Sequence, residues 1–575
     1  MKRVGMLLFA GCFFFLSVIT ANADRKVGSL LLSKDKSSNR VVFVKNNPEK
    51  EFRLAAAKMT VPQRIKLKRA MRRHVKIGDA LTVADNFLEK NKRYLGIKEV
   101  GTELFPKEPV KDELGMTHVY YEQRHNGIKV FGAHASVHLR KDGAVSSAGL
   151  NFVPSLKLGT TPKISEDEAK EIAKEAFTKD FNIFGKANVY ESSLVVMHEG
   201  LFRNTRSKTA RLAWEVKVRE ASIFESLPVD ENYYISAKTG DVIRHISNVR
   251  TDVPLYRKVF DCTPLLFGKF CSSNTIWPDT PYPTYRFGRI ETASPSGENP
   301  YYGGFDVNNA WEILGGLDAY YWQHFGLDGA DGAGGFKFQP VDNVSTKVTT
   351  TNVYQDPTWG STCPNAIFDS TVKTIAFCKG TVWPDIMGHE YQHGVLYWRP
   401  AGDMTYHDEP GALNEASSDF IGEVFEKYYT GSTDWINMGS PDIDWSKRNM
   451  ADPPSYPRKQ DGVPHPDKYR SPYFYCGTND LGGVHYNSTV VSKAFYLISQ
   501  GGDFNGCSIQ GSGIEVAEQI MYRVVRYYYG TNESFNAAYQ HIQQACADLY
   551  PTNTCAQVKA ALQAVELNQQ SPCSG

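Results

Sequence analysis

His389-Glu390-Tyr391-Gln392-His393 constrains this chain more than any other feature, because it specifies a local conformation and a chemistry together. At 100° per residue, positions i and i+4 share one helix face, so a helix here lets both imidazoles reach a single ion while Glu390 projects beside it. An exposed helix with two incidental histidines would read the same way, and the five residues alone do not decide. A catalytic zinc takes three protein donors and leaves its fourth position to water, so the histidine pair requires a third donor from elsewhere. Glu415 meets that need from Gly411-Ala412-Leu413-Asn414-Glu415-Ala416-Ser417-Ser418-Asp419, 22 residues after His393. Glu415 and Asp419 stand at i, i+4, which lets Asp419 accept the second N–H of His389 and fix its tautomer. Two acids at that spacing are also common on solvated helix faces. Their place in this segment favours ligation.

At 575 residues the chain exceeds one core and predicts two to four domains. A net charge of +1 excludes a general basic field for nucleic acid or anionic membrane. The basic run Arg64, Lys66, Lys68, Arg69, Arg72, Arg73 and Lys76 reads as a solvated face, since no stacking aromatics or zinc-knuckle spacing accompany it. Lys2 and Arg3, the apolar stretch Val4 to Ile19 and Ala21-Asn22-Ala23 form an export signal, with cleavage expected after Ala23. No other apolar run is long enough to cross a bilayer, so the expected mature product is secreted, with no membrane attachment. Cys12 after Ala10-Gly11 lies inside the apolar run rather than at its end, which argues against lipidation.

The cysteines divide the chain. Apart from Cys12 none precedes Cys262, and nine follow. Cross-linking protects the part of an exported protein that must last. Close spacing suggests Cys262 with Cys271, Cys363 with Cys378, Cys476 with Cys507 and Cys546 with Cys555; Cys573 is then left over, with Cys546 as an alternative partner.

Residues 24 to 250 read as α+β. Thr117 to Glu122 and Ala133 to Leu139 alternate as strands, Asn126-Gly127 and Asp142-Gly143 mark hairpin turns, and Ser165-Glu166-Asp167-Glu168 caps a helix to about Phe177. Further strands are expected at Ala213 to Val218 and Tyr233 to Ile235, before a Lys238-Thr239-Gly240-Asp241 turn. His118 to Val153, with Gln123, Val130-Phe131-Gly132 and both turns, resembles the fungalysin/thermolysin propeptide module, and residues 164 to 247 resemble a PepSY module. The resemblance implies a prosegment that acts as folding aid and intramolecular inhibitor before its removal.

From about 255 to 566 the chain is similar to the thermolysin family. Gly388 to Gly394 and Asn414 to Asp419 match its first two motifs, and Asp480-Leu481-Gly482-Gly483-Val484-His485-Tyr486-Asn487-Ser488 matches its third, with Thr489 standing where the family has glycine. The resemblance implies zinc on His389, His393 and Glu415, with Asp419 and Asn414 behind them and Glu390 as general base. His485 and Tyr406 then donate to the oxyanion, and Asp480 orients His485. Asn365 and Ala366 would bind substrate backbone, and Arg448 would serve the primed-side pocket, with a large apolar residue preferred after the cut. Asp385, Glu423, Glu426 and Asp434, with the Ile436 carbonyl, match a single structural Ca²⁺ site; Ile436 and Gly439 replace the acids of a second one.

The expected fold class is α+β, a two-lobed catalytic unit with a β-rich N-terminal and a helical C-terminal lobe, behind an α+β propeptide. The expected divisions are 1–23 (signal), 24–155 and 156–250 (prosegment modules), 251–398 and 399–575 (catalytic lobes). Val307 to Phe325 should be a helix, and an edge strand should lie near 365 to 377. The expected product is a monomeric zinc endopeptidase acting on polypeptides. An inactivated scaffold would have lost an essential residue, and none is missing; hydrolysis of another amide, such as a cell-wall cross-link, fits a propeptide less well.

Overall fold

The computed structural model describes residues 25–27, 29–47, 50, 77–181, 187–202, 207–220, 230–247, 257–261, 286–290, 305–330, 349–354, 366–369, 374–378, 380–437 and 447–573. The signal stretch, the basic run before Lys76, Asn365 and Gly439 lie outside them.

Period-two alternation in the first 250 residues produces one twelve-stranded sheet. Val41–Asn46, Val145–Asn151, Ile128–Leu139, Ala187–His198, Ala210–Glu220, Asp230–Ser236 and Val242–Ser247 lie side by side in that order, and Thr117–His125 also pairs with Ile128–Leu139. The hairpin between those last two turns on Asn126 (φ 49°) and Gly127 (φ 84°), both left-handed as a type I′ turn requires. The parallel pairing of Lys129 with Val195 and Val130 with Val196 joins the two modules into one sheet. Each nevertheless has its own core, one around Val44, Leu88, Val119 and Val137, the other around Phe177, Val196, Val216 and Tyr233. Ser165 and Glu168 form a reciprocal cap, Ser165 N–H to Glu168 Oε2 at 2.8 Å and Glu168 N–H to Ser165 Oγ at 3.2 Å. The helix they start, Glu166–Phe181, runs one turn past Phe177.

Residues 257–378 carry a five-stranded sheet ordered Arg286–Ile290, Arg257–Asp261, Thr349–Tyr354, Thr374–Cys378, Ala366–Asp369. The edge segment expected near 365 to 377 is two strands, paired antiparallel with Ala366 opposite Phe377. The helix Phe305–Phe325 packs beside the helix Pro384–Tyr397. Beyond 400 come Asp408–Thr430, Asn479–Gln500, Ile514–Arg523, a π-helical turn Val524–Tyr528, Phe535–Leu549 and Thr552–Ala564. One apolar core runs through both lobes, including Tyr320, Phe377, Ile386, Phe420, Phe495 and Ile542.

Two glycines decide how closely the 384–397 and 408–430 helices approach. A Cβ on Gly422 would fall 2.5 Å from the Asp385 carbonyl oxygen, and one on Gly388 would fall 3.1 Å from the Gly422 Cα. Bare backbone at both positions lets the helices touch, and that contact carries His389 to Glu415.

The disulfide expectations need one correction. Cys546 pairs with Cys555, but Cys476 pairs with Cys573 rather than Cys507. Cys476 precedes the helix that ends at Gln500 and Cys507 follows it; the right-handed part from Val484 spans about 25 Å at 1.5 Å per residue, too far for a bridge. Cys507 is disulfide-bonded in its own right. Cys262, Cys271 and Cys363 lie outside the described residues.

Candidate active site

Histidines one turn apart on the 384–397 helix face Glu415 on the 408–430 helix. The two Nε2 atoms are 3.1 Å apart, Glu415 Oε2 is 3.5 Å from that of His389, and Oε1 is 3.4 Å from that of His393. Donor atoms of the three residues all lie within 4.8 Å of one another. Glu415 is fully buried, and its Oε2 has no hydrogen-bond partner among the described residues. A buried carboxylate oxygen without a hydrogen bond is costly, and two imidazole nitrogens converging beside it are the remaining donors a zinc ion takes. The residues therefore fit such an ion.

The groups behind them set the tautomers. His393 Nδ1–H donates to Asn414 Oδ1 at 2.6 Å, with Ser418 Oγ at 3.1 Å, which turns the Nε2 lone pair to the site. His389 Nδ1 lies 2.9 Å from Asp419 Oδ1. Arg448 donates to both oxygens of Asp419, at 2.7 and 2.6 Å, and to Asn437 at 3.3 Å. Against the upward push of burial, Arg448 and His389 hold Asp419 well below the carboxylate range. Arg448 is only 3% exposed and braces Asp419. Ser418 and Asn437 were not singled out by sequence; Ser418 lies inside the second motif, one residue from Asp419.

Glu390 is 3% exposed, and burial pushes its carboxyl up to about 7, with His389, Glu415 and His485 as its charged neighbours. His485 Nδ1 lies 2.6 Å from Asp480 Oδ1, and Asp480 Oδ2 accepts from the His485 backbone N–H at 2.8 Å. Tyr406 donates to Glu415 Oε1 and stands 3.4 Å from His485 Nε2. Burial lowers the His485 imidazole, but Glu415 and Asp480 outweigh it and raise the ring to about 9.

Asp480, Leu481, Gly482 and Gly483 form a left-handed turn, with φ of 53°, 48°, 87° and 84°. Such a turn costs L-residues about 1–2 kcal/mol each. Close approach holds it in place: a Cβ on Gly482 would fall 2.0 Å from Asp408 Oδ1, and one on Gly483 2.9 Å from the Tyr475 ring. Asp408 is in turn held from the N-terminal sheet, where Arg244 on the 242–247 strand donates to its Oδ2 at 3.1 Å and reaches His407. That sheet thus touches the residues that follow Tyr406.

Glu423, Glu426 and Asp434 bring carboxylate oxygens within 4.8 Å of one another. Burial, then Asp385, push the Glu423 carboxyl well up, and its Oε1 has no hydrogen-bond partner among the described residues. Ile436 pairs with Asn449 in a short strand and donates its N–H to Asp434. Ala366 is buried at the start of the edge strand.

Residues 402–567 match the family model described as thermolysin metallopeptidase, alpha-helical domain; 106–152 match the fungalysin/thermolysin propeptide motif and 163–245 the peptidase propeptide and YPEB domain. Thermolysin of Alicyclobacillus acidocaldarius subsp. acidocaldarius is 29% identical over 475 residues, covering 76% of this chain and 81% of its own. The thermostable neutral protease of Geobacillus stearothermophilus is 27% identical over 474 residues with the same coverage. Among solved structures, the precursor of protealysin from Serratia proteamaculans is 20% identical, with a TM-score of 0.40 over 56% of this chain and 90% of its own. Motifs, matched domains and relatives agree that this chain belongs to the thermolysin family of metalloendopeptidases and is made with a propeptide.

Proposed function

We propose that the chain is a secreted zinc endopeptidase in which His389, His393 and Glu415 hold one zinc ion and Glu390 is the general base. The convergence of three donor atoms, with Asn414 and Asp419 behind the imidazoles, is the observation that carries this reading. Bound there, zinc supplies a Lewis acid that polarises the scissile carbonyl and acidifies the attacking water. Glu390, whose carboxyl burial raises to about 7, takes that water's proton and passes it to the leaving amine. His485, held by Asp480, and Tyr406 donate to the developing oxyanion. Ala366 and Asn365 offer edge-strand backbone to an extended substrate, and a large apolar residue is preferred after the cut. Arg448 acts through Asp419.

Asp385, Glu423, Glu426, Asp434 and the Ile436 carbonyl hold one structural calcium ion. The cation offsets the mutual repulsion of these carboxylates. Its selective removal should lower the melting temperature before it alters turnover, since the ion binds the folded state; an unchanged melting temperature rejects the site. The signal ends at Ala23, modules 24–155 and 156–250 form the prosegment, and lobes 251–398 and 399–575 form the monomeric enzyme.

Zinc content of the purified protein, measured with peptide cleavage before and after chelation, tests the catalytic reading. One zinc per chain with chelator-sensitive cleavage is expected. Cleavage that survives removal of the metal overturns it.

A further inference from the structure

The prosegment docks on the helical lobe through histidines. His118 and His138, directly opposite on neighbouring strands, are both fully buried; the His118 ring stacks on Tyr527 at 4.7 Å, and His138 lies 4.5 Å from Tyr528. Asp112, just ahead of the strand, meets Arg523 of the lobe at 2.9 Å. His134 packs on Gly530, where a Cβ would fall 1.7 Å from its Nε2. We propose that this cluster makes prosegment docking acid-sensitive, holding the prosegment on the helical lobe at neutral pH and releasing it on acidification.

The hydrogen bonds give the reason. Ser136 Oγ–H donates to His138 Nε2 at 3.0 Å, His138 Nδ1–H to His118 Nδ1 at 2.7 Å, and His118 Nε2–H to Asp112 Oδ2 at 3.0 Å. Connected in that order, the relay closes without an added proton. Two Nδ1 atoms facing at 2.7 Å share one hydrogen, so the pair accepts at most one added proton while the rings stay in place, whereas separated, solvated rings accept two. Burial, then His118, His541 and Arg523, push His138 well below the ordinary histidine range. Desolvation pushes His134 down to about 4, only partly offset by Glu533 and a backbone hydrogen bond to Gly132.

The other charged groups around the cluster do not reverse this sign. Arg523 and Arg399 on the lobe oppose further positive charge. Asp112, held low by His118 and Arg523 despite burial, stays ionised. Glu113 and Asp548 are engaged by Arg523, Glu122 opposite His134 by Arg124, and Glu533 by His541 at 2.8 Å. Depressed values in the docked state mean that docking is at full strength above the ordinary histidine pKa of about 6.5 and is lost as pH falls. By pH 5 His134 alone weakens docking about 30-fold, and His138 adds to the loss in the same direction.

Hydrogen exchange on the full-length Glu390→Gln chain at pH 7.5 and 5.0, corrected for intrinsic exchange, tests the proposal. Protection of amides in 128–139 and 524–530 should fall at least tenfold at pH 5.0, while the 408–430 helix keeps its own. In His134→Gln/His138→Gln the fall should shrink below threefold. If that variant does not fold at pH 7.5, His134→Gln alone must still reduce the fall several-fold. Equal protection of the parent chain at both pH values, an equal loss in the 408–430 helix, or an undiminished fall in the variants overturns the proposal. The test reads docking alone, so its failure leaves the catalytic reading standing.

Discussion

The catalytic cleft and the prosegment docking face are built from the same three side-chain types. In the cleft His389 meets Asp419 at 2.9 Å and Asp419 meets Arg448 at 2.6 Å; on the docking face His118 meets Asp112 at 3.0 Å and Asp112 meets Arg523 at 2.9 Å. All six residues are nearly or fully buried. The difference lies in the other ring nitrogen. His389 Nε2 faces His393 Nε2 and Glu415, a convergence of acceptors that a cation completes, whereas His118 Nδ1 is filled by a hydrogen from His138. An acid stands behind a histidine in both places, and the direction of the other ring nitrogen separates a candidate metal site from a closed hydrogen-bond relay.

The largest expected effect is the one that most sharply separates the two faces. Glu390→Gln keeps shape and zinc but removes the base, and turnover should fall about 10² to 10⁴-fold. Zinc analysis, a peptide assay and an immunoblot of the secreted protein check it: retained zinc with normal hydrolysis removes Glu390 as base, and normal prosegment removal in a host without other secreted proteases removes self-maturation. Next, His485→Ala should leave zinc bound and lower turnover about 10² to 10³-fold, since it deletes an oxyanion donor and no ligand. Activity within a few-fold of the parent would take His485 out of the mechanism.

Matched substitutions then challenge the comparison itself. Asp419→Asn should weaken zinc binding about 10- to 100-fold, the usual cost of losing the carboxylate behind a metal-bound histidine. Asp112→Asn should leave zinc affinity unchanged and lower zymogen stability by about 1.5–3 kcal/mol, because it replaces charge-assisted hydrogen bonds with neutral ones. Zinc titration and thermal unfolding of both variants read the outcome. A zinc defect in Asp112→Asn, or none in Asp419→Asn, would break the division of roles.

What the sequence made legible follows from the range of each interaction. His389, His393, Glu415 and Asp419 sit on two neighbouring helices at i, i+4 spacings, so periodicity alone puts the right atoms on the right faces. Hairpin and cap residues at Asn126-Gly127 and Ser165 were equally local. The left-handed turn at Asp480–Gly483 was visible only as a glycine pair, because what selects it is Asp408 and Tyr475, brought close by folding. Cys476 was paired with the wrong cysteine because sequence proximity ignored the helix that separates it from Cys507. The docking contact was not legible: Asp112 and Arg523 are 411 positions apart, and nothing local in the sequence links them. Burial of Arg448 behind Asp419 was likewise hidden, since its position depends on the pairing of Asn437 with Arg448 across two short strands.

The smallest effect tests whether the docking face behaves as one unit. Tyr120 is 5% exposed and donates its hydroxyl to the Tyr527 carbonyl at 3.1 Å, inside the π-helical turn. Carbonyls in a last helical turn lack internal donors, so this bond satisfies a group the lobe leaves open. Tyr120→Phe keeps the ring and its packing and should weaken docking by about 1 kcal/mol, roughly fivefold in exchange protection of 524–530. Burial raises the Tyr120 phenol far above any working pH, so the hydroxyl does not titrate between pH 7.5 and 5.0. The loss should therefore be the same at both, displacing the protection profile without changing its slope. A slope that flattens in Tyr120→Phe would mean that the histidine relay depends on this contact, and that the acid response belongs to the whole face rather than to His134 and His138.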